Sequence, residues 1–211
     1  SGFRDLVTDT AYAGVWARPG LALPDRMICT LTALTILQRL PHLCRYIGAA
    51  LDIDIPPRRI SEIIIQCGLY CGYPAAETAL ATMQEVFDDR KIKLEDEIRE
   101  DLSIEELETA GHAFMAELHG DQATSGYADP NNAYTGGLYR LAVQFGYGVI
   151  WQRSGLNVRE RMLCSLASFA LLGLDETFQK FAASALDIGL ESSEVVEAVI
   201  QTAPYAGFPR A

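Results

Sequence analysis

No stretch of this 211-residue chain approaches the roughly 20 consecutive apolar residues that a membrane-spanning helix needs. The longest, from Met27 to Leu37, carries three threonines and a cysteine and runs into Gln38-Arg39. Positive charge is scarce. Seventeen Lys and Arg against 28 Asp and Glu leave a net charge of −11, and such a surface repels phosphate, which argues against a nucleic-acid partner. Beyond that, an acidic balance describes solvated helix faces. Cysteine is sparse as well: five residues, an odd number without disulfide-framework spacing, as in a reducing compartment. No signal-peptide pattern stands at the start, although the initial Ser leaves room for a trimmed leader, so the expected location is cytoplasmic. Two further features are missing. No Val/Ile alternation suggests a sheet, and Gly136-Gly137 lacks the flanking pattern of a phosphate loop. What remains is 49% apolar and 21% charged, the composition of a packed protein.

The chain repeats itself. Residues 12–76 align with 147–211 without a gap, with 21 identities in 65 positions, where ordinary composition would give about 4 by chance. Trp16-Ala17-Arg18-Pro19-Gly20-Leu21 matches Trp151-Gln152-Arg153-Ser154-Gly155-Leu156, and Arg26-Met27 matches Arg161-Met162. Leu51-Asp52-Ile53 matches Leu186-Asp187-Ile188, and Tyr70-Cys71-Gly72-Tyr73-Pro74 matches Tyr205-Ala206-Gly207-Phe208-Pro209. A constant offset means that each loop keeps its length, so the expectation is two copies of one fold.

Each copy reads as helices, and the fold class is all-α. Residues 25–39 carry apolar side chains on nearly every face, which predicts a central buried helix limited by Pro41. The matching helix opens on a capping box, Asn157 with Glu160, and stops near Gly173. A helix is expected over 175–187, with Asp175 as N-cap. Another is expected between Pro56-Pro57 and Pro74, with its partner running from Ser192-Ser193 to near Pro204. Residues 75–88 read as an Ala-rich helix. Ser103 and Glu106 form a second capping box, opening a helix over 103–119 that closes at Gly120. Residues 120–135 read as a long loop, a length often associated with function, and 136–151 as a mostly apolar helix.

The pattern W-x-R-P-G-L, a further Arg, an apolar helix and then Y-x-G-[FY]-P resembles the carboxymuconolactone decarboxylase family. The resemblance implies two helical units. The first, 1–90, would lack the family's leading helix; the second, 91–211, would carry it at 103–119 ahead of the loop 120–135. It also implies a homo-oligomer, for a two-unit chain a trimer with six pseudo-equivalent units. A core repeat of about 65 residues has limited interior and gains by packing on its twin.

The family's redox branch, the alkyl hydroperoxidase D type, uses a Cys-x-x-Cys pair, a His and an upstream Glu. In alignment the Glu position holds Met27 and Met162. The Cys positions hold Arg39 and His42, or Leu174 and Thr177, and the His position holds Tyr46 and Phe181. A thiol peroxidase is therefore not expected. Cys67 and Cys71 share a helix face and read as small buried hydrophobes, as do Cys29 and Cys164. A thiol-dependent antioxidant role would need Cys67 or Cys71 to be reactive.

Tyr46 can donate a hydrogen bond and Phe181 cannot, so a site is expected in the first copy, with the second copy a structural partner. The candidate catalytic residues are Tyr46, His42 and Arg26. The candidate substrate-binding residues are Arg18, Trp16, Arg45, Tyr70, His112 and Tyr134. Arginine suits a carboxylate because its fork offers two parallel donors. Tyr46 or His42 could hold an oxyanion while another group returns a proton to carbon. The bland readings are equally concrete: Arg26 pairing with Glu62, and Arg161 with Glu197, as fold-stabilising ion pairs; His42 as an exposed helix start; Tyr46, Tyr70 and Tyr205 as packing residues. His112 and His119 lie seven apart on one face, with Tyr134 and Gln144 nearby in sequence, and no metal-ligand cluster is apparent. The expected function is a cofactor-independent lyase or isomerase acting on a small oxygenated carboxylate or lactone by decarboxylation or cyclisation, with no metal and no membrane or nucleic-acid partner. The alternative is an inactive binding or scaffold member of the family.

Overall fold

The computed structural model describes residues 2–95, 101–124 and 133–210. At its centre lies α2 (Leu23–Ile36), in which every residue from Asp25 to Ile36 is buried. Ala22 enters it in extended conformation and Pro24 occupies its first turn, where a missing N–H costs nothing. The repeat equivalent is α8 (Val158–Leu172). Its Asn157–Glu160 capping box is formed, and Gly173 ends it at φ 68°. The two pack against each other. Ile28, Leu31, Leu163 and Leu166 are fully buried, each contributing about 1.5–3 kcal/mol on transfer from water.

The expected spans hold closely. α3 (Leu40–Asp52) corresponds to α9 (Asp175–Asp187), and α4 (Pro57–Cys71) to α10 (Ser192–Ala206). These four helices match end to end at the 135-residue offset. Two details differ. The central helix stops at Ile36, and Pro41 lies in the first turn of α3, so this proline starts a helix. α10 runs through Pro204 to Ala206.

Helices α4 and α10 do not stay with their own repeats. α2 and α8 each pack against both of them. The first compact unit accordingly combines residues 1–94 with 155–211. Within it α5 (Tyr73–Asp89) lies over α3 and α4, burying Ala76, Ala79, Met83 and Phe87. The corresponding face of α9 and α10 opens into a cavity of about 480 Å³ lined by Phe178, Val195, Val196, Val199 and Ile200 among others. Before α2 runs α1 (Gly2–Val7), which continues as a π-helix over Thr8–Trp16; only Val15 of the two is buried.

The second compact unit, residues 95–154, contains α6 (Ile104–His119), opened by the Ser103–Glu106 capping box, and α7 (Gly136–Leu141). The expected single helix over 136–151 is broken into α7, a π-helical turn over Ala142–Tyr147 and a 3-10 turn over Ile150–Gln152. Gly111 and Gly148 let backbones meet: a Cβ on Gly111 would strike the Val143 carbonyl, and one on Gly148 the Leu107 carbonyl. Of the expected loop, Gly120–Gln122 forms a 3-10 turn, and residues 125–132 lie outside the described residues. Among the described residues there is no strand, and no helix is long and apolar enough to cross a membrane.

Candidate functional site

Arg18, Arg26 and Arg161 of the repeated motif are occupied by protein partners. Arg26, 1% exposed, donates from Nη2 to Glu197 Oε2 at 2.9 Å and from Nη1 to Gln201 Oε1 at 3.0 Å. It also donates to the carbonyl of Arg18 at 2.8 Å. Arg18 reaches the same carboxylate, Nη2 to Oε1 at 2.7 Å. Burial alone would raise the Glu197 carboxyl, but the hydrogen bonds and charges of Arg18 and Arg26 outweigh it and hold the group below its ordinary value. The buried pair has its twin: Arg161 donates to Glu62 at 3.1 Å and to Gln66 at 2.8 Å. The pairing of Arg26 with Glu62 anticipated from sequence is therefore replaced by a crossed pairing, in which Glu197 of α10 meets Arg26 of α2 and Glu62 of α4 meets Arg161 of α8. Gly20 and Gly155 sit at φ 93° and 94° beside these carboxylates. A Cβ at Gly20 would lie 3.3 Å from Glu197 Cγ, and one at Gly155 3.0 Å from Glu62 Cγ, so the motif glycine makes room for the other repeat's glutamate.

Beside α3 a cavity of about 640 Å³ opens to solvent. α3 presents His42, Arg45, Tyr46 and Ala49 to it, the i, i+3, i+4, i+7 spacing of one helix face. The N-terminal helices supply Phe3, Val7, Ala11, Tyr12 and Trp16, α2 supplies Met27, and α10 adds Pro204 and Tyr205 from the second repeat. Of the residues expected at a site, the cavity thus brings together Trp16, His42, Arg45 and Tyr46. Arg18 and Arg26 are bound to Glu197 instead. Tyr70 is half-buried in α4, its hydroxyl 2.6 Å from Ser165 Oγ. His112 and Tyr134 belong to the compact unit 95–154: His112 is exposed, with Nδ1 3.4 Å from the Tyr139 hydroxyl, and Tyr134 is exposed on a turn. In that same unit His119 lies buried, with Nε2 2.9 Å from the Tyr147 hydroxyl.

Against the wall of the cavity lies a chain of hydrogen bonds. Trp16 Nε1 donates to the Tyr205 hydroxyl at 2.9 Å, and Tyr205 donates to the Tyr46 hydroxyl at 3.0 Å. The Trp16 and Tyr46 rings lie nearly parallel with centroids 6.0 Å apart, and Tyr205 meets Tyr46 edge-on at 5.6 Å. An indole N–H can only donate, and each phenol has one proton. With the Tyr205 proton given to Tyr46, the Tyr46 proton is left for Tyr12, which lines the same cavity, or for a ligand that takes its place. Burial first, and then the neighbouring Tyr205 and Tyr12 hydroxyls, push the Tyr46 phenol well above its ordinary value, and burial does the same to Tyr205. Both are therefore hydrogen-bond donors at neutral pH rather than bases. Arg45 stands at the open side, with Nε 3.3 Å from the Pro41 carbonyl of its own helix. Among the described residues that line it, none is acidic.

Tyr205 escaped the sequence reading, which took it for a packing residue; the available signal was its place in a motif tyrosine pair whose other member, Tyr70, has no tyrosine to meet. In the second repeat Phe181 replaces Tyr46, and Phe169 stands where the first repeat has Leu34. Phe169 packs edge-on against both Tyr70 and Phe181 at 4.8 Å. An aromatic stack fills the place that a hydroxyl chain holds in the first repeat.

Four of the five cysteines are shifted away from an activated thiol. Burial raises Cys29, Cys67, Cys71 and Cys164, the last to about 12.

Comparison with known proteins agrees with the architecture. The chain is 32% identical over 87 residues to a 4-carboxymuconolactone decarboxylase of Acinetobacter baylyi, covering 41% of this chain and 65% of the relative. It is 27% identical over 86 residues to a nitrosuccinic acid decarboxylase of Metarhizium robertsii, covering 41% of this chain and 60% of that relative. The alignments thus span a little under two thirds of each relative's length. The model of the carboxymuconolactone decarboxylase family matches residues 2–85 and again 136–211. A twofold match over most of the chain, laid on two sets of helices in the same order, shows that this protein is a tandem member of the carboxymuconolactone decarboxylase family.

Proposed function

We propose that the chain is a cofactor-independent decarboxylase whose site lies in the cavity beside α3. Its substrate is a carboxylate with a carbonyl, or an equivalent electron-withdrawing group, one carbon away. The observation that carries this reading is the donor chain from Trp16 through Tyr205 to Tyr46, which sets a phenolic hydroxyl at the wall of a largely apolar cavity.

Arg45 at the rim captures the anion. As the bond between carbon and carboxylate breaks, CO2 leaves and the electron pair moves into the neighbouring carbonyl, whose oxygen becomes an enolate. Tyr46 donates to that oxygen, and a donor preorganised by Tyr205 stabilises the charge without having to reorient. A proton then returns to carbon; His42, exposed one turn before Tyr46 on the same helix, is the residue placed to carry it from solvent. Because the carboxylate departs as neutral CO2, grip on it does not favour the transition state, so Arg45 at the solvent edge serves capture rather than bond breaking.

The activities for which both relatives are named support the reading, since each is a decarboxylase and a nitro group is itself an electron sink. The second repeat is the structural partner: Phe181 cannot donate, and Phe169 fills the adjoining space. The test is CO2 release from a panel of β-keto and α-nitro acids. Turnover that falls about 10²–10³-fold in Tyr46→Phe, the usual loss for one oxyanion donor, is the expected result. Equal turnover in Tyr46→Phe and the parent chain would remove the proposed site, and no turnover on any member of the panel would favour a binding role.

A further inference from the structure

We infer that the cavity takes a monocarboxylic acid with an aromatic body larger than one ring, carrying a hydroxyl or keto oxygen beside the acid, rather than a small aliphatic diacid. The inference rests on the same cavity as the decarboxylase reading, but it concerns binding and needs no turnover. Three observations converge on it.

The first is charge. Among the described residues that line the cavity Arg45 is the one Lys or Arg, with His42 beside it, and none is acidic although the chain carries 28 Asp and Glu. The other cations that might have formed a second carboxylate clamp, Arg18 and Arg26, are both committed to Glu197 at 2.7 Å and 2.9 Å. One anion post is provided, and a diacid would leave its second charge against apolar or phenolic groups, a costly arrangement.

The second is size. About 640 Å³ falls within the roughly 300–1,000 Å³ of sites that bury drug-sized ligands. A four-carbon acid would leave most of that space to water.

The third is the wall. Phe3, Tyr12, Trp16, Tyr46 and Tyr205 all line the cavity. Aromatic faces and edges favour an unsaturated ring system over a flexible chain. The hydroxyls of Tyr46 and Tyr12, hydrogen-bonded neighbours that both line the cavity, then fix one polar oxygen of that ring system.

Equilibrium binding to the intact chain tests this, using isothermal calorimetry with 3-hydroxy-2-naphthoate, salicylate and succinate as probes. The naphthoate is expected to bind at least tenfold more tightly than salicylate, with succinate weakest. Arg45→Gln should weaken the naphthoate tenfold or more and leave 2-naphthol, which has the rings but no acid, unchanged; Arg45 is exposed, so this variant keeps the fold. Succinate binding as tightly as the naphthoate would overturn the inference, as would naphthoate binding indifferent to Arg45→Gln. The two readings fail separately. Naphthoate bound as described, with no CO2 from any keto or nitro acid, removes the reaction and leaves the ligand class. CO2 from small diacids, with no naphthoate bound, does the reverse.

Discussion

Arg26 in α2 donates to Glu197 in α10 across 171 residues of chain, at 2.9 Å, while Glu62, which the repeat pattern offers equally well as its partner, accepts from Arg161. The two pairs are each other's image at the repeat offset. They join the repeats at their most buried charges: Arg161 and Glu62 are both fully shielded from solvent. A buried pair is weak evidence of net stabilisation, because desolvation opposes attraction, but leaving one partner alone is strongly unfavourable.

Glu62→Gln is therefore expected to cost about 3–5 kcal/mol, the range for breaking a buried pair, measured as the loss in free energy of urea unfolding. A double-mutant cycle locates the partnership. Arg26→Met with Glu197→Gln should show a coupling of about 0.5–3 kcal/mol, and Arg26→Met with Glu62→Gln only a few tenths. Coupling in the second cycle and none in the first would mean that the repeats fold separately.

The same contacts give a pH signature. The Glu197 carboxyl is held below its ordinary value, and so is Glu194, where Arg159 and the backbone of Glu191 outweigh burial. A carboxyl depressed on folding stabilises fully above its unfolded value, about 4.3, and that stability is lost as the pH falls through the lower folded value. Urea midpoints should hold steady from pH 7 to about 5 and then fall. Glu197→Gln should start lower at pH 7 and fall less steeply below pH 5; an unchanged slope would show that other groups govern the acid limb.

The crossed pairing marks where sequence reasoning stopped. Helix spans and the duplication were legible because both are local: capping boxes at Asn157 and Ser103 form as the spacing implies, and a gapless offset preserves loop lengths. Which Glu meets which Arg was not legible, since each partner occurs once per repeat and either combination satisfies the count. Half of the candidate site was legible for the same local reason: His42, Arg45 and Tyr46 share a face of one helix. Tyr205 was not, because its role depends on α10 lying beside the other repeat's α3. Nor could the sequence show that Arg18 and Arg26, chemically suited to a carboxylate, already hold one supplied by the protein.

Kinetics should separate the residues of the site. Tyr205→Phe keeps the Tyr46 hydroxyl but removes the proton it accepts, so kcat should fall about tenfold, less than in Tyr46→Phe, with KM little changed, as for an interaction made mainly in the transition state. Arg45→Gln should raise KM about tenfold and leave kcat close to its original value. Since the Tyr46 and Tyr205 phenols are pushed up by burial, the donor persists into alkaline solution, and no loss of kcat from their ionisation is expected up to about pH 10, the value of a free phenol. A fall in kcat for Arg45→Gln equal to that for Tyr46→Phe would place Arg45 on the reacting oxygen.

Thiol chemistry can be tested directly. Cys29, Cys67 and Cys164 are buried, and burial raises all three, Cys164 to about 12. At pH 7.5 the thiolate fraction of a group at about 12 is on the order of 10⁻⁴ or less, because the fraction falls tenfold per pH unit below the pKa. In the native chain these three should react with a disulfide reagent only as fast as the fold opens, and all five cysteines should react promptly in denaturant. Cys67 and Cys71 lie four apart on α4, where peroxide would have to draw them into a bridge against the helix geometry. Exposure to peroxide should therefore leave CO2 release intact, and its loss, restored by a thiol reductant, would return sulfur to the mechanism.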